Sequence, residues 1–145
     1  RRISESRLIE YACYCDNYYG TPREYVENQL ADGRDVILEI EIQGAHKVKE
    51  QYPDALTLFV MTPGAEELRY RLESRGTESA EVIEKRMQRA AQEALGIEKY
   101  EYIVVNDNLE KCVDEVHRII IAAHNASHRN MEFIDNIRRE LEGEK

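Results

Sequence analysis

The chain has 145 residues, of which 42% are hydrophobic and 34% are charged, and its net charge is -9. This balance is typical of one folded globular domain and excludes an intrinsically disordered chain. The acidic charge argues against a general nucleic-acid-binding surface, and no apolar run approaches the roughly 18 residues of a membrane span. Three cysteines without a paired framework, and an opening segment without an apolar leader, predict a cytoplasmic protein.

The first predicted element is a short strand over residues 8–13, with Glu10 in its middle. The stretch NYYGTP that follows allows two interpretations. It is either a turn anchored by the rings of Tyr18 and Tyr19, or a ligand clamp of hydroxyl groups and a backbone N–H. From composition alone the turn is favoured, because Gly, Pro and Asn mark turns more often than binding sites.

A helix is predicted immediately after this stretch. Thr21 suits its N-cap, Pro22 its first turn, and Glu24 the capping-box position. The helix should end near Asp32, with Gly33 as its C-terminal cap.

The next predicted strand is DVILEIEI, in which Glu39 and Glu41 interrupt an apolar run over residues 36–42. Alternation places both carboxylates on one face of the strand. They are either a pair of salt-bridged structural acids or a site for a ligand amine, an arginine or a divalent ion held through waters. A helix over residues 44–52 follows and stops at Pro53.

The second half of the chain repeats this alternation of strands and helices. Two further buried strands are predicted in ALTLFVMTP and EYIVVND. Helices are predicted over residues 64–76, from about Ala80 into GIEKY, over 109–125, and over 128–141. The last helix should face inward with Ile134, Ile137 and Leu141. Buried strands that alternate with helices predict an α/β fold with a parallel sheet, whose ligands lie at the carboxyl ends of the strands.

Arginines flank a short loop between two of these helices. Arg71 and Arg75 are four residues apart on the first helix, Arg86 and Arg89 lie on the second, and the TES stretch between the helices is predicted to be a mobile loop. The pattern suits a lid, since a guanidinium can contact two phosphoryl oxygens at once. On charge pattern alone, however, ordinary pairing on exposed helices is favoured, with the available acids Glu66, Glu67, Glu73 and Glu84.

No metal site is predicted. His117, His124 and His128 share one helical face, but no acidic or thiol group lies at a matching spacing, so a solvated face is favoured. Asn106 stands at the end of the predicted strand in EYIVVND, where an amide either caps the next helix or recognises a base edge.

Taken in order, the stretches LIEYA, NYYGTP, DVILEIEIQGA, RGTES, EVIEKRM and YIVVND resemble the guanylate kinases along nearly the whole chain. The resemblance implies a P-loop nucleoside-kinase-like α/β fold of three layers with a parallel sheet. It implies ATP-dependent phosphorylation of GMP to GDP in purine nucleotide metabolism, with Mg²⁺ accompanying ATP. It also implies a division into part of a GMP-binding subdomain (1–32), a core (33–63 and 101–145) and a lid region (64–100).

The resemblance also assigns roles to individual residues. It implies that Glu10 contacts guanine, that Tyr19 contacts the GMP phosphate, and that Gly20 and Thr21 line the guanine side. Glu39 and Glu41 fall in the GMP site, although many relatives have aspartate at these positions. The lid arginines of the catalytic step are Arg75 and Arg86, while Arg71 and Asn106 fall on the ATP side.

One departure from the family pattern is prominent: the sequence contains no G-x-x-x-x-G-K-[ST] motif. The resemblance therefore implies an N-terminally truncated fold, lacking the P-loop portion that cradles the ATP phosphates. This chain alone is expected to be inactive, and exposed sheet edges are expected to allow oligomerisation. The alternative is a non-catalytic guanylate-kinase-like domain that binds protein partners. A third possibility is a nucleoside monophosphate kinase for another base, against which Glu10 and NYYGT argue.

Overall fold

The computed structural model describes residues 8–14 and 17–143. The four described strands are β1 (Leu8–Tyr14), β2 (Asn17–Pro22), β3 (Leu58–Met61) and β4 (Tyr102–Val105). The six described α-helices are α1 (Arg23–Ala31), α2 (Ile42–Gln51), α3 (Ala65–Ser74), α4 (Ala80–Ala94), α5 (Leu109–His124) and α6 (Met131–Leu141). The chain divides into two compact units, Arg1–Ala55 and Leu56–Lys145. The division predicted from the resemblance, with residues 33–63 in the core, stays a prediction.

The first unit is built on an antiparallel hairpin of β1 and β2, against which α2 packs. The predicted strand around Glu10 is therefore confirmed, but the predicted turn over NYYGTP is wrong, because residues 17–22 form β2. Gly20 and Pro22 lie at the C-terminal end of β2, which leads directly into α1. The residues that connect the two strands, 15 and 16, lie outside the described part of the chain.

Helix α1 ends as its sequence predicts and begins one residue later than predicted. Pro22 is its N-cap, with no side-chain cap bond, so the expected N-cap role of Thr21 is wrong. At the other end Gly33 has a φ of +79°, which favours glycine, and the Gly33 and Arg34 amides donate to the carbonyls of Leu30 and Gln29. These two bonds are those of a Schellman cap.

A phenol joins α1 to the residue that ends α2. The Tyr52 hydroxyl donates to Glu27 Oε1 at 2.8 Å and accepts from Arg23 Nη1 at 3.1 Å. Partial burial and the hydrogen bond to Glu27 both raise the pKa of Tyr52 above its ordinary value, so the phenol is neutral at physiological pH. The predicted helix over residues 44–52 is confirmed as α2, with bounds shifted by one or two residues.

The strand predicted over residues 36–42 is wrong, since residues 34–41 have no regular secondary structure. The burial still alternates: Val36, Leu38 and Ile40 are half-buried, whereas Ile37 is 76% exposed. A strand forms only where a neighbouring strand pairs with its N–H and C=O groups, and none of the described strands pairs with this segment. The side-chain pattern of a strand is therefore present without the ladder.

The second unit contains a parallel pair, β3 and β4, with Phe59 opposite Ile103 and Val60 opposite Val104. Helix α5 packs against β4, and Val104 is 1% exposed. The predicted parallel pairing of these two strands is confirmed. Their predicted complete burial is wrong, because Val60 is 54% and Ile103 55% exposed. A parallel sheet is normally covered on both faces, so these exposed side chains mark an uncovered part of it.

The remaining helices follow the predicted pattern closely. Helix α3 ends next to Gly76, whose φ of +64° again favours glycine, and α4 starts at Ala80 as predicted. Helix α6 begins at Met131, after a short 3-10 turn, rather than at His128. Ile134 is half-buried, but Ile137 is 38% and Leu141 82% exposed, so the prediction that all three face inward is confirmed only for Ile134.

Candidate functional site

The residues predicted to surround guanine lie on the β1–β2 hairpin of the first unit. The register pairs Leu8 with Pro22 and Tyr11 with Gly20, so two residues of β1, Ile9 and Glu10, oppose the single residue Thr21. This is a β-bulge, a feature that re-aims a side chain and often lies beside functional sites. The backbone therefore brings Glu10 to the same part of the hairpin as Gly20 and Thr21. Tyr19 lies one residue further along β2, opposite Ala12.

The two acids predicted to complete the GMP site precede α2 in the same unit. Glu39 and Glu41 are both exposed, on the side of the extended segment opposite to the half-buried apolar residues. The Glu41 carbonyl accepts the first helical bond of α2, from the Ala45 amide at 2.9 Å. Since α2 packs against β1, the helix that Glu41 starts contacts the strand that carries Glu10.

In the second unit, the two residues predicted on the ATP side are in direct contact. Arg71 Nη2 donates to the backbone carbonyl of Asn106 at 2.7 Å, and Arg71 Nε donates to Glu67 Oε1 at 2.9 Å. The backbone N–H of Asn106 in turn donates to the backbone carbonyl of Met61 at 2.7 Å. These bonds join α3 to the carboxyl ends of β3 and β4, the edge of a parallel sheet where ligands bind.

An open depression lies beside this contact, at the start of α3. It has a volume of about 480 Å³ and is lined by Pro63, Gly64, Glu66, Glu67 and Tyr70. Its two carboxylates disfavour a phosphate chain, because like charges repel. A neutral base or a ribose, whose hydroxyl groups can donate to carboxylates, suits this lining better.

Helices α3 and α4 pack against each other and form the region predicted to be a lid. Leu72 and Ile83 are buried, and an ion pair joins Arg69 to Glu84 across the two helices. The hydrogen bond from Arg69, with its positive charge, lowers the pKa of the Glu84 carboxyl below its ordinary value. Pairing with acids was the ordinary alternative for these helices, and the structure confirms it for Arg71 with Glu67.

The two predicted catalytic arginines lie in different surroundings. Arg75 is exposed at the C-terminal end of α3, and none of the residues that the structure describes pairs with its guanidinium. Arg86 is half-buried on α4, and its Nη2 lies 2.5 Å from Glu78 Oε1. Charge pattern had not identified Glu78 as a partner, because the eight-residue separation crosses a loop and matches no helical repeat.

The loop that carries Glu78 is locally ordered by the start of α4. Ser79 is the N-cap of the helix, and its side chain accepts from the Val82 amide at 3.3 Å. The serine that follows Glu78 in the sequence was an available capping signal.

Within residues 8–14 and 17–143 there is no cluster of three or more His, Cys, Asp or Glu side chains that could hold a metal ion. The helices of that same part include none long and apolar enough to cross a membrane.

Comparison with protein families identifies a match over most of the chain. The model of the family described as "Guanylate kinase" matches residues 1–123. The guanylate kinase of Caldanaerobacter subterraneus subsp. tengcongensis is 45% identical over 140 residues, which are 97% of this chain and 68% of that protein. The guanylate kinase of Oceanobacillus iheyensis is 48% identical over 122 residues, which are 84% of this chain and 59% of that protein.

A solved structure supports the same relationship. The crystal structure of guanylate kinase from Anaplasma phagocytophilum has a TM-score of 0.74 and 32% sequence identity, and covers 89% of this chain. The matched region is 62% of that protein's chain. The present chain therefore spans roughly three fifths to two thirds of the length of these relatives. The likeness confirms the predicted P-loop kinase-like α/β fold.

Proposed function

Because this chain belongs to the guanylate kinase family, we propose that the protein carrying it transfers a phosphoryl group from ATP to GMP and produces GDP and ADP. The observation that carries the proposal is the family match over residues 1–123, supported by relatives that are 45% and 48% identical. This span includes every residue to which the resemblance assigns a role. No observation favours the non-catalytic interaction domain.

Selection of guanine is proposed to depend on Glu10. A carboxylate accepts hydrogen bonds from the guanine N1–H and 2-amino groups together, and adenine lacks that pair of donors. The bulge in the β1–β2 hairpin supports this role, because it brings the backbone of Glu10 next to Gly20 and Thr21. Tyr19 is proposed to donate a hydrogen bond from its hydroxyl group to the GMP phosphate. Glu39 and Glu41 are proposed to complete the GMP site.

The nucleoside end of ATP is proposed to bind near Arg71 and Asn106. Support comes from their direct contact at the carboxyl ends of β3 and β4 and from the adjacent depression, whose acidic lining suits a ribose or a base. Arg75 and Arg86 are proposed to stabilise the negative charge on the transferred phosphoryl group. The guanidinium of Arg75 is exposed and pairs with none of the described residues, so among these residues no ion pair has to break before it binds an anion.

Mg²⁺ is proposed to arrive with ATP. An ion that arrives in this way keeps several waters and is held mainly by the substrate phosphates, with one or two carboxylates. When bound, the ion neutralises charge on the phosphates.

The test is a coupled assay of the full natural protein with ATP, MgCl₂ and either GMP or AMP. We expect turnover with GMP and a value of kcat/KM at least about 10³-fold lower with AMP, because adenine would leave the Glu10 carboxylate unpaired. Comparable turnover with AMP would overturn the assignment of the substrate. Binding of GMP without any turnover would overturn the enzymatic proposal and favour the interaction domain.

Self-association through exposed edges of the β3–β4 sheet is also proposed. It is supported by four exposed apolar side chains on these strands, which are Val60, Tyr102, Ile103 and Val105. In analytical ultracentrifugation of the 145-residue chain we expect concentration-dependent association, and a Val60→Lys variant should shift it towards monomer. A chain that stays monomeric at all concentrations would contradict this.

Neither nucleic acid nor a membrane is proposed as a partner, in keeping with the net charge of -9, and a cytoplasmic location is proposed.

A further inference from the structure

The ion pair between Glu78 and Arg86 involves a carboxylate that is mostly buried and only partly paired. Glu78 Oε1 lies 2.5 Å from Arg86 Nη2, and the Glu78 side chain is only 18% exposed, against 38% for Arg86. The second carboxylate oxygen, Oε2, is buried and has no hydrogen-bond partner among the residues that the structure describes. A buried carboxylate with one unpaired oxygen is costly, so its presence requires an explanation other than stability.

Other ion pairs on the same two helices provide a comparison. Both carboxylate oxygens of Glu84 accept hydrogen bonds from Arg69, and the side chains of both residues are well exposed. Such an exposed pair contributes little to stability and leaves no buried group unpaired. Glu78 is different, because its side chain is mostly buried and its Oε2 makes no hydrogen bond to any described residue, so it does not hold Arg86 by a two-pronged contact.

The single contact leaves most of the guanidinium available. Arginine has five N–H donors in a fixed plane, and a two-pronged contact with a carboxylate would occupy two of them along one edge. A contact through Nη2 alone fixes the direction of the Arg86 side chain and leaves the Nε and Nη1 donors for another anion. Burial of Glu78 at the start of α4 limits the movement of the carboxylate and therefore of its partner.

We propose that Glu78 is a positioning residue, which orients Arg86 so that its remaining N–H groups meet the transferred phosphoryl group. This inference rests on the proposed function, in which Arg86 stabilises charge on that group. Glu78 itself does not contact the substrate. Its effect is to reduce the freedom that Arg86 must lose when the transition state forms, and it should therefore affect the rate more than substrate binding.

The test compares Glu78→Gln with Glu84→Gln in the full natural protein. Both variants exchange a carboxylate for an amide of the same size in an ion pair that involves the α3–α4 region. At saturating ATP and GMP we expect Glu78→Gln to lower kcat by about 10-fold to 100-fold with little change in KM for GMP. Glu84→Gln should lower kcat less than about twofold, since it removes only an exposed pair.

A double-mutant cycle shows whether Glu78 acts through Arg86. In an Arg86→Ala background, Glu78→Gln should cause no further loss of kcat, because the group that it orients is gone. An equal loss in both backgrounds would overturn the proposal, as would a Glu78→Gln variant as active as Glu84→Gln. Thermal unfolding shows whether Glu78→Gln is folded. If it is not, Glu78→Asp replaces it in the cycle, and it too should cause no further loss of kcat in the Arg86→Ala background.

Failure of the inference is separable from failure of the proposed function. If the unsubstituted protein turns over ATP with GMP but the cycle is additive, only the role of Glu78 is overturned. If the unsubstituted protein shows no GMP-dependent turnover, the proposed function fails and the role of Glu78 fails with it.

Discussion

In the full natural protein, Glu10→Ala is expected to lower kcat/KM for GMP by about 10³-fold while changing KM for ATP less than about twofold. The carboxylate is proposed to accept from two guanine N–H groups, and its loss would leave both donors unpaired in the complex. Removal of a charged partner from paired polar groups is among the most costly changes in a binding site. The effect should be selective, since the residues proposed for ATP lie in the other unit of the chain.

A matched control for this substitution is Glu24→Ala. Glu24 is also a glutamate of the first unit, but it is exposed in the first turn of α1 and has no proposed role in GMP binding. Steady-state assays in which first GMP and then ATP is varied would measure kcat/KM for GMP and KM for ATP for each variant. Equal weakening for the two nucleotides by Glu10→Ala, or equal effects of the two substitutions, would contradict the assignment of guanine to Glu10.

The helices of this protein could be predicted from the sequence because their signals are local. Gly33 and Gly76 both adopt positive φ at the ends of helices, where glycine avoids the steric cost of a Cβ. The start of α4 at Ala80 follows the Ser79 cap. Each of these features depends on residues within one helical turn, so a sequence contains the information needed to locate them.

The strands were harder to predict because a strand depends on distant partners. Residues 36–42 have the apolar alternation of a strand and the matching alternation of burial, but no described neighbour pairs with their backbone. Hydrophobic pattern reports which side chains turn inward and does not report whether a ladder forms. In the same way, the Gly and Pro of NYYGTP predict a turn, but this stretch pairs with β1 and forms a strand.

The candidate site shows the same division between local and distant information. Arg71 and Arg75 were recognisable from their spacing of four on one helix, whereas the contact of Arg71 with the Asn106 carbonyl joins residues 35 positions apart. Resemblance to a family bridged that distance, since it placed both residues on the ATP side. It gave no role to Glu78, whose pairing with Arg86 only the structure reveals.

Arg86→Ala is expected to lower kcat of the full natural protein by about 10³-fold, with KM for GMP and for ATP changed less than about threefold. An arginine that meets the transferred phosphoryl group stabilises charge that is greatest in the transition state, so its loss should appear in the rate rather than in ground-state binding. Single-turnover kinetics by rapid quench would measure the chemical step directly. Arg75→Ala is expected to act in the same direction.

Arg89→Ala is the matched control, because it removes the same side chain three residues further along α4. Arg89 Nε donates to Glu93 Oε1 at 3.1 Å, an exposed pair within one helix that should contribute little to stability or rate. If Arg89→Ala slowed the chemical step as much as Arg86→Ala, the loss would reflect the general positive charge of the lid. If instead Arg86→Ala mainly raised KM, Arg86 would bind the ground state, and the orientation supplied by Glu78 would have to be reconsidered as an aid to binding.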